Sequence, residues 1–185
     1  MKRVAAVVLA FLLVVGGFAS TRVLASILAT FVGGTVTVVP SGTLLLYVNS
    51  NDTSHMGWSV VGVQPYLNAT DSNYVTTNVS GALEGNFGFM ASGKSTETIT
   101  NVTVQIYGQH ATGNNLAVFV WDSSSWTSLG EQAVTSSWGW VNYTATTLLD
   151  TWAKIDAAKI YLKTSASDTY KVECARLQVL YNAPG

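Results

Sequence analysis

The chain has 185 residues, of which 48% are hydrophobic and only 10% charged, and its formal net charge is −1. This length holds one leader and one domain, and the near-neutral balance excludes a broad electrostatic footprint for nucleic acid or an anionic membrane. A single cysteine, Cys174, excludes an intramolecular disulfide. Average soluble domains carry roughly 25% charged residues, so Ser, Thr and Asn supply the polarity here, as in extracellular β-rich proteins.

The N-terminus, Met1-Lys2-Arg3 followed by an apolar run from Val4 to Ala19, reads as a secretory signal. Cleavage is expected after Ala19, with Val23-Leu24-Ala25 as a second possible cut. The alternative is a retained anchor helix, since about 20 apolar residues span a bilayer. A contiguous apolar arm follows and is broken by Gly33-Gly34. The β-branched run Thr35, Val36, Thr37, Val38 and Val39 then begins. An exposed apolar arm demands a cover, either membrane or another subunit.

Beyond the arm, short β-patterned runs recur between turn signals with no sustained helical period. Strands are expected over residues 43–49, 57–63, 84–90, 97–107, 116–121, 138–145, 159–164 and 170–181. Val102, Val104 and Ile106 alternate with Thr103 and Gln105, as a half-buried strand requires. In the last run Tyr170, Val172 and Cys174 share one phase and Leu177 and Val179 the other, which predicts a β-bulge near 174–176. Trp121 to Trp126 reads as a tight hairpin, and a helical turn fits only within 148–158. The fold class is therefore all-β, a two-sheet antiparallel sandwich of jelly-roll type. Its organisation is 1–19 leader, 20–42 arm and 43–185 sandwich.

The residue patterns of catalysis are missing. His55 and His110 lie in polar, turn-like contexts without metal-ligand spacing, and both are expected in solvated loops. The sequence has no Gly-rich phosphate loop, no nucleophile elbow and no acid pair within a motif. Cys174 is expected as a small buried hydrophobe. No catalytic residue, enzyme activity or cofactor is assigned. Asn49, Asn51 and Asp52, or Asn68, Asp71 and Asn73, offer oxygen ligands to calcium, but ordinary turn chemistry accounts for both groups.

Five sequons, at Asn51, Asn68, Asn78, Asn101 and Asn142, fit Asn-x-Ser/Thr and agree with export and N-linked glycans. Trp138 and Trp140 share one face of an expected strand. They are either core, since aromatics dominate sandwich interiors, or a platform on which sugar rings stack. Core placement is the expectation.

The leader, the β-prone arm and the charge-poor sandwich together resemble subunits of archaeal extracellular filaments, the threads and bundling pili. The residues that carry the resemblance are 29–39, above all Gly33-Gly34-Thr35-Val36-Thr37-Val38-Val39. The stretch from Gly57 to Val75 is also similar to jelly-roll modules of virion and surface proteins. The Lys/Arg-Gly processing site of type IV pilins is absent. The resemblance implies a secreted structural subunit whose partners are copies of itself, residues 35–39 serving as a donor strand in a neighbour's sheet. The alternative is a glycan-binding or membrane-anchored surface module, or a virion surface protein, of the same fold. In each case the protein is expected outside the cell, touching membrane only through an uncleaved leader.

Overall fold

The computed structural model describes residues 41–51, 55–61 and 67–184. The leader, the donor-strand residues 35–39 and Asp52 lie outside the described residues. The elements run β1 (Ser41–Asn51), β2 (His55–Met56), β3 (Ser59–Val61), β4 (Tyr74–Thr77), β5 (Leu83–Phe89), β6 (Thr98–His110), β7 (Asn114–Trp121), β8 (Trp126–Val134), β9 (Gly139–Thr144), α1 (Trp152–Ala157), β10 (Lys159–Thr164) and β11 (Tyr170–Asn182).

Two antiparallel sheets face each other. In the first, β11 is flanked by β6 on one side and by β4 and then β1 on the other; β3 and β9 lie outermost. In the second, β10 lies between β5 and β7, with β8 outside β7 and with β2 and the end of β1 along β5. β1 thus serves both sheets, changing partner after Tyr47. From β4 onward the chain crosses between sheets at every connection except the β7–β8 hairpin, which is jelly-roll wiring. Along β11 the strand positions on both sides are filled, because the Asn68 bridge to Cys174 joins the stretches paired with β4 and β1.

The core follows from alternation. Val102, Val104 and Ile106 of β6 and Ala175, Leu177 and Val179 of β11 point inward, opposite Leu116, Val118 and Val120 of β7 and Ile160 and Leu162 of β10. Each fully buried aliphatic side chain of this kind contributes about 1.5–3 kcal/mol. Two tyrosines join the layers. The Tyr143 hydroxyl donates to the Leu116 carbonyl at 2.7 Å, and the Tyr170 hydroxyl to the Asn115 carbonyl at 2.8 Å. Burial raises the Tyr143 phenol above its ordinary range. At one end Thr151 caps α1 by accepting the Lys154 N–H, while the Trp152 indole donates to the Glu97 carbonyl at 2.7 Å.

Several expectations are corrected. Ser41 and Gly42, assigned to the arm, are paired in β1. The β11 bulge falls earlier than expected, between Val172 and Cys174. Glu173 is the extra residue, and Cys174 consequently shares a face with Tyr107 instead of with Val172. A Cβ on Gly108, opposite Val172, would lie 2.8 Å from the Lys171 carbonyl oxygen, so the bulge packs against a glycine of necessity. His110 is not a solvated loop residue. It continues the inward phase of β6, is wholly buried, and packs edge-on against Tyr170 with ring centroids 4.2 Å apart. Its Nδ1 accepts the Thr112 N–H at 3.1 Å. His55 lies in β2.

Candidate functional site

The outer face of the first sheet is built from the strand phases that the core leaves over. In β9, Val141 and Tyr143 point inward, so Trp140 and Asn142 point outward, paired with Tyr107 and Gln105 of β6. Arg176 of β11 pairs with Gln105 and with Tyr47 of β1, which places both of those side chains on the same face. Tyr74 of β4 joins them through Trp138.

These side chains form a continuous aromatic row. Tyr74 meets Trp138 edge-on at 6.0 Å between ring centroids. Trp138 stacks nearly parallel on Tyr107 at 5.5 Å, and Tyr107 tilts against Trp140 at 5.2 Å. The Arg176 guanidinium then lies 4.0 Å from the Trp140 centroid and 5.7 Å from that of Tyr47. The steps between neighbouring rings are close to the length of one pyranose residue in an extended saccharide. Trp140 is 37% exposed and Trp138 half-buried; neither belongs to the core, so the expected core placement of this pair is corrected. Strand period fixes that two residues share a face, but the phase holding Val141 and Tyr143 has the better claim on the interior.

A ladder of amides runs beside the rings. Gln105 Nε2 donates to Asn142 Oδ1 at 3.0 Å and to Gln178 Oε1 at 3.3 Å, while its Oε1 accepts from Arg176 Nε at 2.8 Å. Arg176 also donates to the Tyr47 hydroxyl at 3.0 Å. Its charge is thus spread over an amide, a phenol and two ring faces. Donors and acceptors fixed in this way present a preordered polar border beside the rings, whereas free side chains lose rotamer entropy on binding.

A loop bounds the face on one side. Glu173, the bulged residue, is buried and accepts the Ser72 N–H, and the Ala175 N–H donates to the Leu67 carbonyl at 2.9 Å. Residues 67–73 are thereby tied across the sheet above Cys174. That thiol is wholly buried, and burial pushes its pKa up to about 12. Asp71 accepts the Asn73 N–H at 3.1 Å, an Asx turn of the kind that explains those residues without calcium. Among the described residues no three His, Cys, Asp or Glu side chains gather in a metal-binding group.

The expected sequon residues are dispersed unevenly. Asn101 and Asn142 are exposed on this same outer face. The Asn101 Oδ1 accepts from the Thr103 and Thr146 hydroxyls at 3.3 and 3.1 Å. Asn68 is half-buried in the bounding loop, bridged to Cys174. Asn78 is exposed just after β4, beside a polar cleft of about 290 Å³ lined by Gly57, Ser59, Thr76, Thr77 and Thr169. Asn51 ends β1. Tyr47, Tyr74, Tyr107 and Arg176 were not legible as partners of the tryptophans, because four different strands supply them.

No family model matches the chain, and no curated protein matches it. Solved structures of similar fold include the following three. A CBM4 structure is 13% identical with a TM-score of 0.40, covering 75% of this chain and 86% of its own. The CBM22-1 xylan-binding domain of Xyn10C from Paenibacillus barcinonensis is 12% identical with a TM-score of 0.37, covering 77% and 94%. The N-terminal cellulose-binding domain of β-1,4-glucanase C from Cellulomonas fimi is 16% identical with a TM-score of 0.36, covering 69% and 86%. Likeness at this level carries nothing about what the chain binds.

Proposed function

We propose that this chain is an extracellular glycan-binding module whose ligand, a neutral saccharide chain, lies along the outer face of the first sheet. The observation that carries the reading is the solvent-facing row Tyr74, Trp138, Tyr107 and Trp140, bordered by the bonded amides Gln105, Asn142 and Gln178. Rings cover the apolar C–H faces of pyranoses while amides take their hydroxyls, the usual division of labour in a ligand site. The row is open at its ends, which suits a chain better than a single sugar.

The test is isothermal titration of neutral oligosaccharide hexamers, cellohexaose and xylohexaose among them, against the wild type and Trp138→Ala/Trp140→Ala. Loss of about 1.4–2.8 kcal/mol of ring contact corresponds to a 10- to 100-fold weaker affinity. Thermal unfolding should barely move, because neither ring is in the core. Equal affinities for the two proteins would reject the reading.

A further inference from the structure

The second sheet also turns an aromatic face to solvent, and its chemistry differs. β10 alternates strictly: Ile160, Leu162 and Thr164 are buried, while Lys159, Tyr161 and Lys163 point outward. Neighbouring strands add rings around Tyr161. Phe119 of β7 stacks on it at 4.5 Å and 12°, Trp126 of β8 tilts against it at 4.8 Å, and Trp121 meets Trp126 at 5.7 Å. Trp121, Trp126, Lys159 and Asn86 line a cleft of about 200 Å³.

The cations decide what this face would take. On the first sheet Arg176 is engaged by Gln105, Tyr47 and Trp140. On the second, Lys159 and Lys163 are exposed, and neither has a hydrogen bond, ion pair or ring contact among the described residues. They stand four residues apart on one strand, roughly 13 Å, with Tyr161 midway. The described carboxylates of this face have partners other than the lysines. Asp122 serves the hairpin turn through Ser124 and Ser125, and Glu131, two strands away from Lys163, accepts from Asn115.

From this we infer that the outer face of the second sheet is a separate binding site for an acidic saccharide chain, a polyuronate. Its rings would stack on Trp126 and Tyr161, and carboxylates two to three sugar residues apart along the chain would reach Lys159 and Lys163. The inference does not depend on the neutral-glycan reading, since the two faces share no residue.

The experiment titrates the full-length protein with hexamers of galacturonate, glucuronate and mannuronate, and with the methyl ester of the galacturonate hexamer. At least one uronate should bind saturably, and raised salt should weaken it. Trp126→Ala and Lys159→Gln should each weaken binding tenfold or more, and the neutral ester should lose a similar factor against wild type. Lys159→Gln touches no core residue, so it stays informative if Trp126→Ala unfolds. Trp138→Ala/Trp140→Ala should leave uronate binding unchanged. The inference is overturned if no uronate binds, if Lys159→Gln binds as well as wild type, or if only the Trp138 and Trp140 substitutions abolish binding. Failure of neutral hexamers to bind would count against the proposed function alone.

Discussion

Trp140 and Asn142 stand side by side on the outward face of β9, with Thr144 next in the same phase. A saccharide joined to the Asn142 amide would lie against Trp140 and over Gln105, the partner of that amide. The sequon and the aromatic row therefore compete for one surface. Protein from a glycosylating host, with Asn142 occupancy established by mass spectrometry, should bind neutral hexamers at least tenfold more weakly than unglycosylated protein. Asn142→Gln made in the same host should recover most of that loss. Equal binding by occupied and unoccupied protein would show that an attached glycan points away from the row.

Gly108 bears on the same face from beneath. Alanine there would set a methyl group 2.8 Å from the Lys171 carbonyl, a backbone atom that cannot step aside cheaply. Gly108→Ala should destabilise the domain by about 1–3 kcal/mol, the range for overpacking, as read from urea unfolding. Because the contact lies beside the β11 bulge, the Trp138 and Tyr107 ring signals should shift as well. An unchanged unfolding midpoint would mean that the bulge relaxes freely.

The hairpin that carries Trp121 and Trp126 is sensitive to acid. The Ser124 hydroxyl, followed by the Ser125 and Ser124 N–H groups, holds the Asp122 carboxyl down at about 2. A depressed carboxylate contributes stability above its unfolded pKa and loses it as pH falls through the folded value. The contribution should drain away from about pH 4, near the ordinary aspartate value, to about 2. The Ser124 and Ser125 amide resonances should titrate across that range, and in Asp122→Asn the step should vanish. A midpoint near 4 would mean that the turn gives the carboxylate no help.

Cys174 should be silent towards thiol reagents while the protein is folded. Its burial and its raised pKa both withhold the thiolate that reacts. Ellman's reagent at pH 8 should label none of it in an hour and all of it in guanidinium. Labelling within minutes under native conditions would show that residues 67–73 open readily from the sheet.

How far the sequence could be read depended on which strands have one wet face. β6 was legible because Val102, Val104 and Ile106 alternate with polar residues, and the same phase extended two steps further reaches His110, which its polar neighbours disguised. β8 was missed because most of its residues are exposed and an edge strand imposes no alternation. β4 was too short to register. The shift of Cys174 to the outer face depends on one extra residue at Glu173, and its place within a continuous β-prone run is set by packing against Gly108. The tryptophans were recognised as a pair, but the row needs residues from β1, β4, β6 and β11, a proximity created only by tertiary pairing.

β11 also sets the order of events at birth. It is the central strand of its sheet, and Leu46 of β1 finds its cross-strand neighbour only in Leu177. At ordinary synthesis rates that partner follows on the order of ten seconds later. Until then the first half of β1 has no strand to dock on, while β6 has only β9 and β4 only the short β3. Contacts this distant along the chain also close slowly. The first sheet therefore cannot be completed, nor the sandwich closed, until its last strand has emerged.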